Sequence, residues 1–330
     1  MRLLEVVAGT IAAMVVMGSI AHAQDLKVGV SWNNKDSSLE TAWEDYMKAE
    51  GETQGKAAGL TISWTFNVAN SDPARQTANI EDLITGGADV IVARAEDGGA
   101  IGASIRAAKD AGIPFVAFDR KSTSAEQPDA FVGGDSTDEA TTTTNAFVDI
   151  LKAKQIHGKC IELQGNLLDS NAVARTKAWN DITTASGVIE TVAHVPTEWN
   201  PELFRSGLAN ALKAHPEANC LFTASDFALP AIQAALEDAD RWHPTGDDKH
   251  MWFASQDLMQ DAVKAMKAGY IDVATTWEAS NQAKELVRVV IALAKKEDPG
   301  CGADGCLAKG RLATPANLDT LDHLWSRDYK

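Results

Sequence analysis

Short apolar strands and amphipathic helical segments alternate along the chain from Leu26 onward. The first predicted strand covers residues 27–30, and residues 60–68 return to a strand pattern rich in Thr, Ile, Trp and Phe. Between them, apolar positions recur at the spacing of one helical face: Leu39, Ala42, Trp43, Tyr46 and Met47. The order strand, helix, strand predicts a βαβ unit.

The alternation continues to about residue 277 in two series. In the first, Asp72 and Pro73 predict a helix start, and further strands are predicted at 89–93, 114–118 and 131–132. The second series places strands at 160–163, 189–195, 220–224, 251–254 and 271–277. Strands separated by helices favour parallel sheets with helices on both faces. The sequence therefore predicts an α/β fold of two doubly wound, Rossmann-like parallel-sheet lobes, which suits a chain of 330 residues.

The first 23 residues follow a different pattern. Arg2 precedes an apolar run over 6–20, and Ala21-His22-Ala23 then forms a small-residue cleavage pattern. This layout predicts a signal peptide, residues 1–23, cleaved after Ala23. A membrane anchor is the alternative, but the run is shorter than the roughly 20 residues that a spanning helix needs.

The formal net charge of -16 disfavours nucleic acid and anionic membrane surfaces as partners. Of the four cysteines, Cys301 and Cys306 bracket a turn-like Gly-Ala-Asp-Gly spacer, which favours a disulfide over a metal pair. Cys160 and Cys220 begin the first and third strands of the second series, which are neighbours in a 2-1-3-4-5 strand order. Either a second disulfide or two buried thiols fits this placement.

Ligands of open parallel sheets lie beyond the carboxyl ends of the strands, so the residues that follow each strand are the candidate binding residues. These positions carry carboxylates, amides, guanidinium groups and indoles, which bind hydroxyl groups and cover apolar ring faces. The candidates are Trp32, Asn34, Asp119, Arg120, Arg175, Trp199, Ser225, Gln256, Asp257 and Glu278. Trp277 is a further stacking candidate.

No phosphate-binding loop, dinucleotide fingerprint, nucleophile elbow or zinc-binding histidine pattern occurs in the sequence. We therefore expect no cofactor, no metal and no catalysis. Asp119 and Asp257 could flank a glycosidic bond, as the carboxylates of a glycosidase do. Neighbouring arginines would keep both ionised, which leaves that alternative without a general acid.

The stretch from 70 to 120, which ends in Asp119-Arg120, resembles periplasmic sugar-binding proteins of the ribose/xylose type. KCIELQG (159–165), LFTASD (221–226), FASQD (253–257) and VATTWE (273–278) extend the resemblance over about 27–293. It implies a type I periplasmic binding fold with three hinge strands and a sugar gripped by Asp119, Arg120, Arg175 and Asp257. Asn34 matches a family asparagine, and Trp199 falls where ribose binders carry a stacking Phe. It further implies closure of the lobes, a periplasmic location and docking onto the permease of an ABC importer.

On this basis we expect an N-terminal lobe of 24–134 plus 279–312, a C-terminal lobe of 135–278 plus 313–330, and a monomer. The sequence departs from ribose binders after Asn34, where Lys35-Asp36-Ser37-Ser38 stands, and at Gln256 and Glu278. A pentose, a hexose, a polyol or an amino-bearing ligand therefore stays open. A sensory receptor that presents its ligand to a chemoreceptor or kinase ectodomain is an alternative to import. A repressor core would need an N-terminal DNA-binding segment instead of a signal peptide.

Overall fold

A computed structural model describes residues 24–329, and the predicted signal peptide lies outside this part of the chain. The strands are β1 (Gln24–Trp32), β2 (Leu60–Val68), β3 (Val90–Ala93), β4 (Phe115–Phe118), β5 (Ala130–Gly134), β6 (Gly158–Gln164), β7 (Ile189–Pro196), β8 (Cys220–Thr223), β9 (Trp252–Asp257), β10 (Val273–Thr276), β11 (Cys306–Ala308) and β12 (Leu312–Ala313). The helices are α1 (Ser38–Ala58), α2 (Pro73–Thr85), α3 (Ile101–Asp110), α4 (Ser136–Ala153), α5 (Ser170–Ser186), α6 (Pro201–Ala214), α7 (Leu229–Asp238), α8 (Gln260–Lys267), α9 (Ala279–Ala294) and α10 (Trp325–Asp328). A single 3₁₀ turn covers Leu318–Thr320.

The strands form two sheets of six, in the orders β11-β5-β4-β3-β1-β2 and β12-β10-β9-β8-β6-β7. All pairings are parallel except that of β12 with β10. The predicted pair of doubly wound α/β lobes is therefore confirmed. We call the lobe that contains the first sheet the first lobe and the other the second lobe.

Each sheet is covered by helices on both faces, because its central strands are apolar on both sides. In the first lobe, α1 and α9 pack on one face and α2 and α3 on the other. In the second lobe, α4 and α5 cover one face and α6, α7 and α8 the other. No helix within residues 24–329 is both long and apolar enough to cross a membrane.

Local signals in the sequence set several helix starts. Ser37 and Glu40 form a reciprocal capping box at the start of α1, and the Asp72 carboxylate accepts from the amides of Ala74 and Arg75 at the start of α2. Asp169 caps α5. These caps fix where α1, α2 and α5 begin.

The chain passes between the sheets after β5, after β10 and after β11. β12 belongs to the second sheet, whereas the hydroxyl group of Tyr329 donates to Asp45 on α1 in the first lobe, at 2.7 Å. The division of the tail between the lobes stays a prediction.

All four cysteines are in disulfides. Cys160 and Cys220 lie directly opposite each other on the neighbouring strands β6 and β8, and their Cα atoms are 4.4 Å apart. Of the two alternatives for this pair, the structure has the disulfide. Cys301 and Cys306 are also bonded, and this bond closes the short loop before β11.

Candidate functional site

A cleft with about 720 Å³ of empty space lies between the two lobes, beyond the carboxyl ends of the parallel strands. Both lobes contribute to its walls. Eight of the sequence-predicted residues line it: Asn34, Asp119, Arg120, Arg175, Trp199, Ser225, Asp257 and Trp277.

The first-lobe wall is organised by Arg94, which follows β3, and Asp119, which follows β4. The guanidinium Nε of Arg94 donates to the Asp119 carboxylate, and its Nη1 donates to Asn33 Oδ1 at 2.9 Å and Glu40 Oε1 at 3.2 Å. Burial alone would lower the pKa of Arg94, but Asp119 and Glu40 outweigh burial and raise it. Arg94 therefore stays a fixed cation that holds Asp119 in place.

A second ion pair crosses the cleft. Arg120 Nε of the first lobe lies 3.0 Å from Asp169 Oδ2 of the second, and Arg120 Nη1 donates to the carbonyl oxygen of Ala95 at 3.1 Å. Burial lowers the pKa of Arg120, and the Asp169 charge opposes that effect. Asn171 Nδ2 also reaches across and donates to the main-chain carbonyl of Asp119 at 3.1 Å. The lobes are therefore in direct polar contact at the wall of the cleft.

A third pair, Arg175 with Asp257, forms the second-lobe wall. Arg175 Nη2 donates to Asp257 Oδ1 at 2.7 Å, and Nη1 donates to the carbonyl oxygen of Ala224 at 2.6 Å. The guanidinium carbon lies 5.0 Å from the ring centre of Trp277. Burial opposes the charge of Arg175, but Asp257 and Glu139 raise its pKa overall.

Glu139 on α4 lies behind this pair, with Oε2 3.6 Å from Arg175 Nη2. The side chain is 1% exposed. Burial raises the pKa of Glu139 well above its ordinary value, although Arg175 opposes the shift. Glu139 therefore supports Arg175 from the side of the inter-lobe crossings and does not line the cleft.

The indole of Trp199 covers the end of β6. Its Nε1 donates to Asp169 Oδ2 at 2.9 Å, so the same carboxylate binds both Trp199 and Arg120. The ring passes over Gly165, where an added Cβ would lie 2.1 Å from Trp199 Cζ2. Only glycine at position 165 permits this indole position.

Three predicted ligand residues lie away from the cleft. Trp32 is fully buried because β1 continues to this residue and turns the indole toward α1, where it stacks on Trp43 and donates to Glu44. Gln256 is also fully buried, and its Oε1 accepts from Thr275 Oγ1 at 2.7 Å. Glu278 accepts from Arg311 Nε at 2.9 Å and so joins two inter-lobe crossings. These three positions are corrections to the predicted binding set, and Gln256 and Glu278 form hydrogen bonds next to the inter-lobe crossings instead.

The cleft also contains residues that sequence reasoning missed. Arg94 and Glu96 follow β3 directly, so the strand-end rule could have found them. Asp169 is a helix cap by sequence, and only the packing of the lobes brings it to Arg120. Phe227 and Met259 add apolar surface from loops after β8 and β9. No sequence signal distinguishes these two from core residues.

Comparisons with known proteins agree with this architecture. Residues 28–298 match the family model described as periplasmic binding protein domain. The chain is 28% identical over 295 residues to a Rhizobium meliloti protein provisionally named rhizopine-binding protein, covering 87% of this chain and 90% of that one. It is 27% identical over 319 residues to the D-xylose-binding periplasmic protein of Haemophilus influenzae, with 93% and 89% covered.

Among solved structures, a solute binding protein of an ABC transporter from Bacillus halodurans, with bound myo-inositol, superposes with a TM-score of 0.78. The overlap covers 93% of this chain and 99% of that chain at 23% sequence identity, so it shows a shared fold. The family match spans most of the chain and includes most strands of both sheets. The protein therefore belongs to the periplasmic binding protein domain family.

Proposed function

We propose that this protein is the substrate-binding receptor of a bacterial ABC importer and holds one monosaccharide or sugar alcohol in the cleft between its lobes. The observation that carries this proposal is the set of three buried arginine–aspartate pairs, which both lobes contribute to one cleft. Relatives named for D-xylose binding support the ligand class.

The chemistry of the walls suits a polyhydroxylated ring. A hydroxyl group both donates and accepts, so a carboxylate and a guanidinium group held side by side can satisfy one or two adjacent hydroxyls. Trp199 and Trp277 supply apolar faces for the C–H surfaces of the ring. Such a site binds and orients its ligand without a reacting group.

Binding is coupled to closure of the lobes in this proposal. Asp119 belongs to the first lobe and Arg175 and Asp257 to the second, so a ligand contacts all three only when the lobes approach each other. A ligand that binds the closed arrangement more tightly shifts the population toward it. The chain would reach the periplasm by export, with the signal peptide cleaved after Ala23. There, the closed form would dock onto a membrane permease.

The first test is a binding screen of the mature chain against pentoses, hexoses and polyols by thermal shift and calorimetry. A ligand at 100 times its Kd adds about 2.7 kcal/mol to the free energy of unfolding. We expect Asp119→Ala or Arg175→Ala to raise the Kd at least about 100-fold, since each leaves a buried charge without its partner.

Asp272→Ala is the matched control, because Asp272 is a buried carboxylate outside the cleft, paired with His250. This variant should lose stability but keep its affinity for the ligand. If Asp119→Ala binds like the unaltered protein, the cleft assignment is wrong. If no sugar or polyol binds the folded protein, the proposed function is wrong.

A further inference from the structure

The walls of the cleft carry more negative than positive charge. Seven carboxylates line it against three guanidinium groups, which leaves a formal excess of four negative charges. The carboxylates are those of Asp36, Glu40, Glu96, Asp119, Asp169, Glu198 and Asp257. A site for a neutral ring needs no such excess.

The three arginines are already counted in this excess, and each of them is paired with an aspartate. Glu40 shares Arg94 with Asp119. Within residues 24–329, no nitrogen of a Lys, Arg or His side chain lies within 4.0 Å of the carboxylates of Asp36, Glu96 or Glu198. These three carboxylates are the part of the wall without an ion-pair partner, and Glu96 attracts the Arg120 guanidinium group only from farther away.

Glu96 is the best positioned of the three, since it is half-buried whereas Asp36 and Glu198 are exposed. Its Oε2 accepts from Asn33 Nδ2 at 3.0 Å, which is its one side-chain hydrogen bond in the described chain. Gln76 fixes the backbone on both sides of Ala95, because it donates to the Arg94 carbonyl at 2.8 Å and accepts from the Glu96 amide at 2.9 Å. The Glu96 carboxylate is thus fixed in position with acceptor capacity to spare.

A second observation, on the opposite wall beside Arg175, points to a ligand in the same cleft. Trp277 lines the cleft and is 3% exposed, yet its Nε1 has no hydrogen-bond partner within the described residues. A buried N–H without an acceptor costs free energy, so a ligand oxygen is its natural partner. The cleft therefore offers a donor suited to a hydroxyl group and, separately, a carboxylate suited to a cation.

We infer that the ligand is a polyol or monosaccharide that bears a protonated primary amine, with its ammonium group bound by Glu96 and attracted by Asp36 and Glu198 at the cleft mouth. This inference rests on the proposed function and narrows its ligand class. An ammonium group has three donors and no acceptor, which matches carboxylates that lack a cationic partner. A neutral ligand would leave the Glu96 carboxylate without an ion-pair partner when the cleft closes.

Calorimetry with matched pairs tests the inference: an amino-deoxy-inositol against myo-inositol, and glucosamine against glucose. We expect the aminated member of at least one pair to bind about tenfold or more tightly. Glu96→Gln should remove that preference, because the amide keeps the shape and loses the charge. Glu52→Gln, an exposed change on α1 with the same effect on net charge, should retain the preference.

The outcomes separate the two proposals. If the neutral member of each pair binds as tightly as the aminated one, the amine inference is overturned while the proposed function stands. If neither class binds, the proposed function itself fails. A preference that survives Glu96→Gln would overturn the role of Glu96. The comparison of ligands on the unaltered protein needs no variant, so it remains decisive if Glu96→Gln folds poorly.

Discussion

Each arginine of the cleft is bound by more than the aspartate that it pairs with. Arg94 also donates to Asn33 and Glu40, Arg120 to Ala95, and Arg175 to Ala224. Breaking one partner from a buried pair costs about 3–5 kcal/mol, whereas a fully satisfied pair contributes little net stability. The extra bonds therefore fix the direction of each guanidinium group before a ligand arrives, which is the condition for selective recognition.

A buried histidine outside the cleft contributes to the pH dependence of stability. His250 is buried, with Nε2 3.0 Å from Asp272 Oδ2 and Nδ1 2.7 Å from the carbonyl oxygen of His243. Both nitrogens thus face acceptors, as a protonated ring requires. Burial alone would lower the pKa of His250, but the hydrogen bond and charge of Asp272 raise it overall.

Because the pKa of His250 is higher in the folded than in the unfolded chain, its contribution to the free energy of unfolding is complete below about pH 6.5. That contribution is lost as the pH rises through the folded-state value. In the variant His250→Gln, we expect the free energy of unfolding to fall less steeply with rising pH, by at most about 1.4 kcal/mol per pH unit. Urea unfolding of both proteins between about pH 6 and pH 9 measures the two slopes.

Asp226 also makes the free energy of unfolding fall with rising pH, since burial and the charge of Asp257 raise the pKa of Asp226 to about 8. Burial also raises the pKa values of Glu139 and Glu162, so several buried groups make the unaltered protein lose stability with rising pH. Only the difference between the unaltered protein and His250→Gln reports on His250. Equal slopes in the two proteins would contradict a protonated His250.

Prediction of single residues from the sequence succeeded where cleft residues directly follow strands of a parallel sheet. Asp119, Arg175 and Asp257 were chosen for their places relative to strand ends or for the family resemblance, and the structure brings them to one cleft. That they contact a ligand stays a prediction. Trp32 was misplaced because the strand runs two residues beyond the predicted end at Val30, which turns its indole into the core. Asp169 depends on how the lobes meet, which local sequence does not encode.

At the scale of elements, the disulfide between β6 and β8 ties together the centre of the second sheet. It closes a loop with a sequence separation of 60, against 5 for Cys301 and Cys306. By chain entropy, these bonds are worth about 4 and about 2 kcal/mol respectively. Cys160 and Cys220 are fully buried, whereas Cys301 is partly exposed. The Cys160–Cys220 bond therefore contributes more to the free energy of unfolding and is better shielded from solvent.

We expect a thiol reductant to open the Cys301–Cys306 bond first under native conditions, because a thiolate must reach the sulfur atoms. Alkylation and mass spectrometry after brief reduction identify which cysteines are free. Replacing Cys160 and Cys220 by alanine should lower the free energy of unfolding more than replacing Cys301 and Cys306. Earlier reduction of Cys160 would mean that β6 and β8 open locally, contrary to this expectation.

Long periodic elements were predictable and short ones were not. α1 and α2 begin where apolar spacing and capping residues indicate. β11 has three residues and β12 two, too few for any alternation to appear. β11 is held in the first sheet by pairing with β5, and β12 is held in the second sheet by pairing with β10.

For the molecule as a whole, the three crossings between the lobes are the candidate hinge. Gly310 lies between β11 and β12, and an added Cβ there would be 2.6 Å from the carbonyl oxygen of Thr276 in the neighbouring crossing. The Glu139 side chain is also within 2.8 Å of that point. A methyl group at Gly310 would therefore push two crossings apart.

We expect Gly310→Ala to weaken ligand binding about tenfold or more, although it alters no residue that lines the cleft. Gly302→Ala is the control, since its added Cβ meets nothing nearer than 3.9 Å. Calorimetry gives the affinities, and small-angle scattering gives the radius of gyration with and without ligand. The unaltered protein should contract on binding. Unchanged affinity in Gly310→Ala would show that these crossings do not govern closure.

The return of the chain to the first lobe also determines the order in which the lobes can be finished. Trp43 on α1 donates to Gln282 on α9 at 3.1 Å, across a sequence separation of 239. The second sheet needs only residues up to β10 for its five parallel strands, whereas the first waits for α9 and β11. A growing chain therefore begins one lobe first but can complete the other before it. Until α9 is available, the apolar face of the first sheet that this helix covers remains exposed.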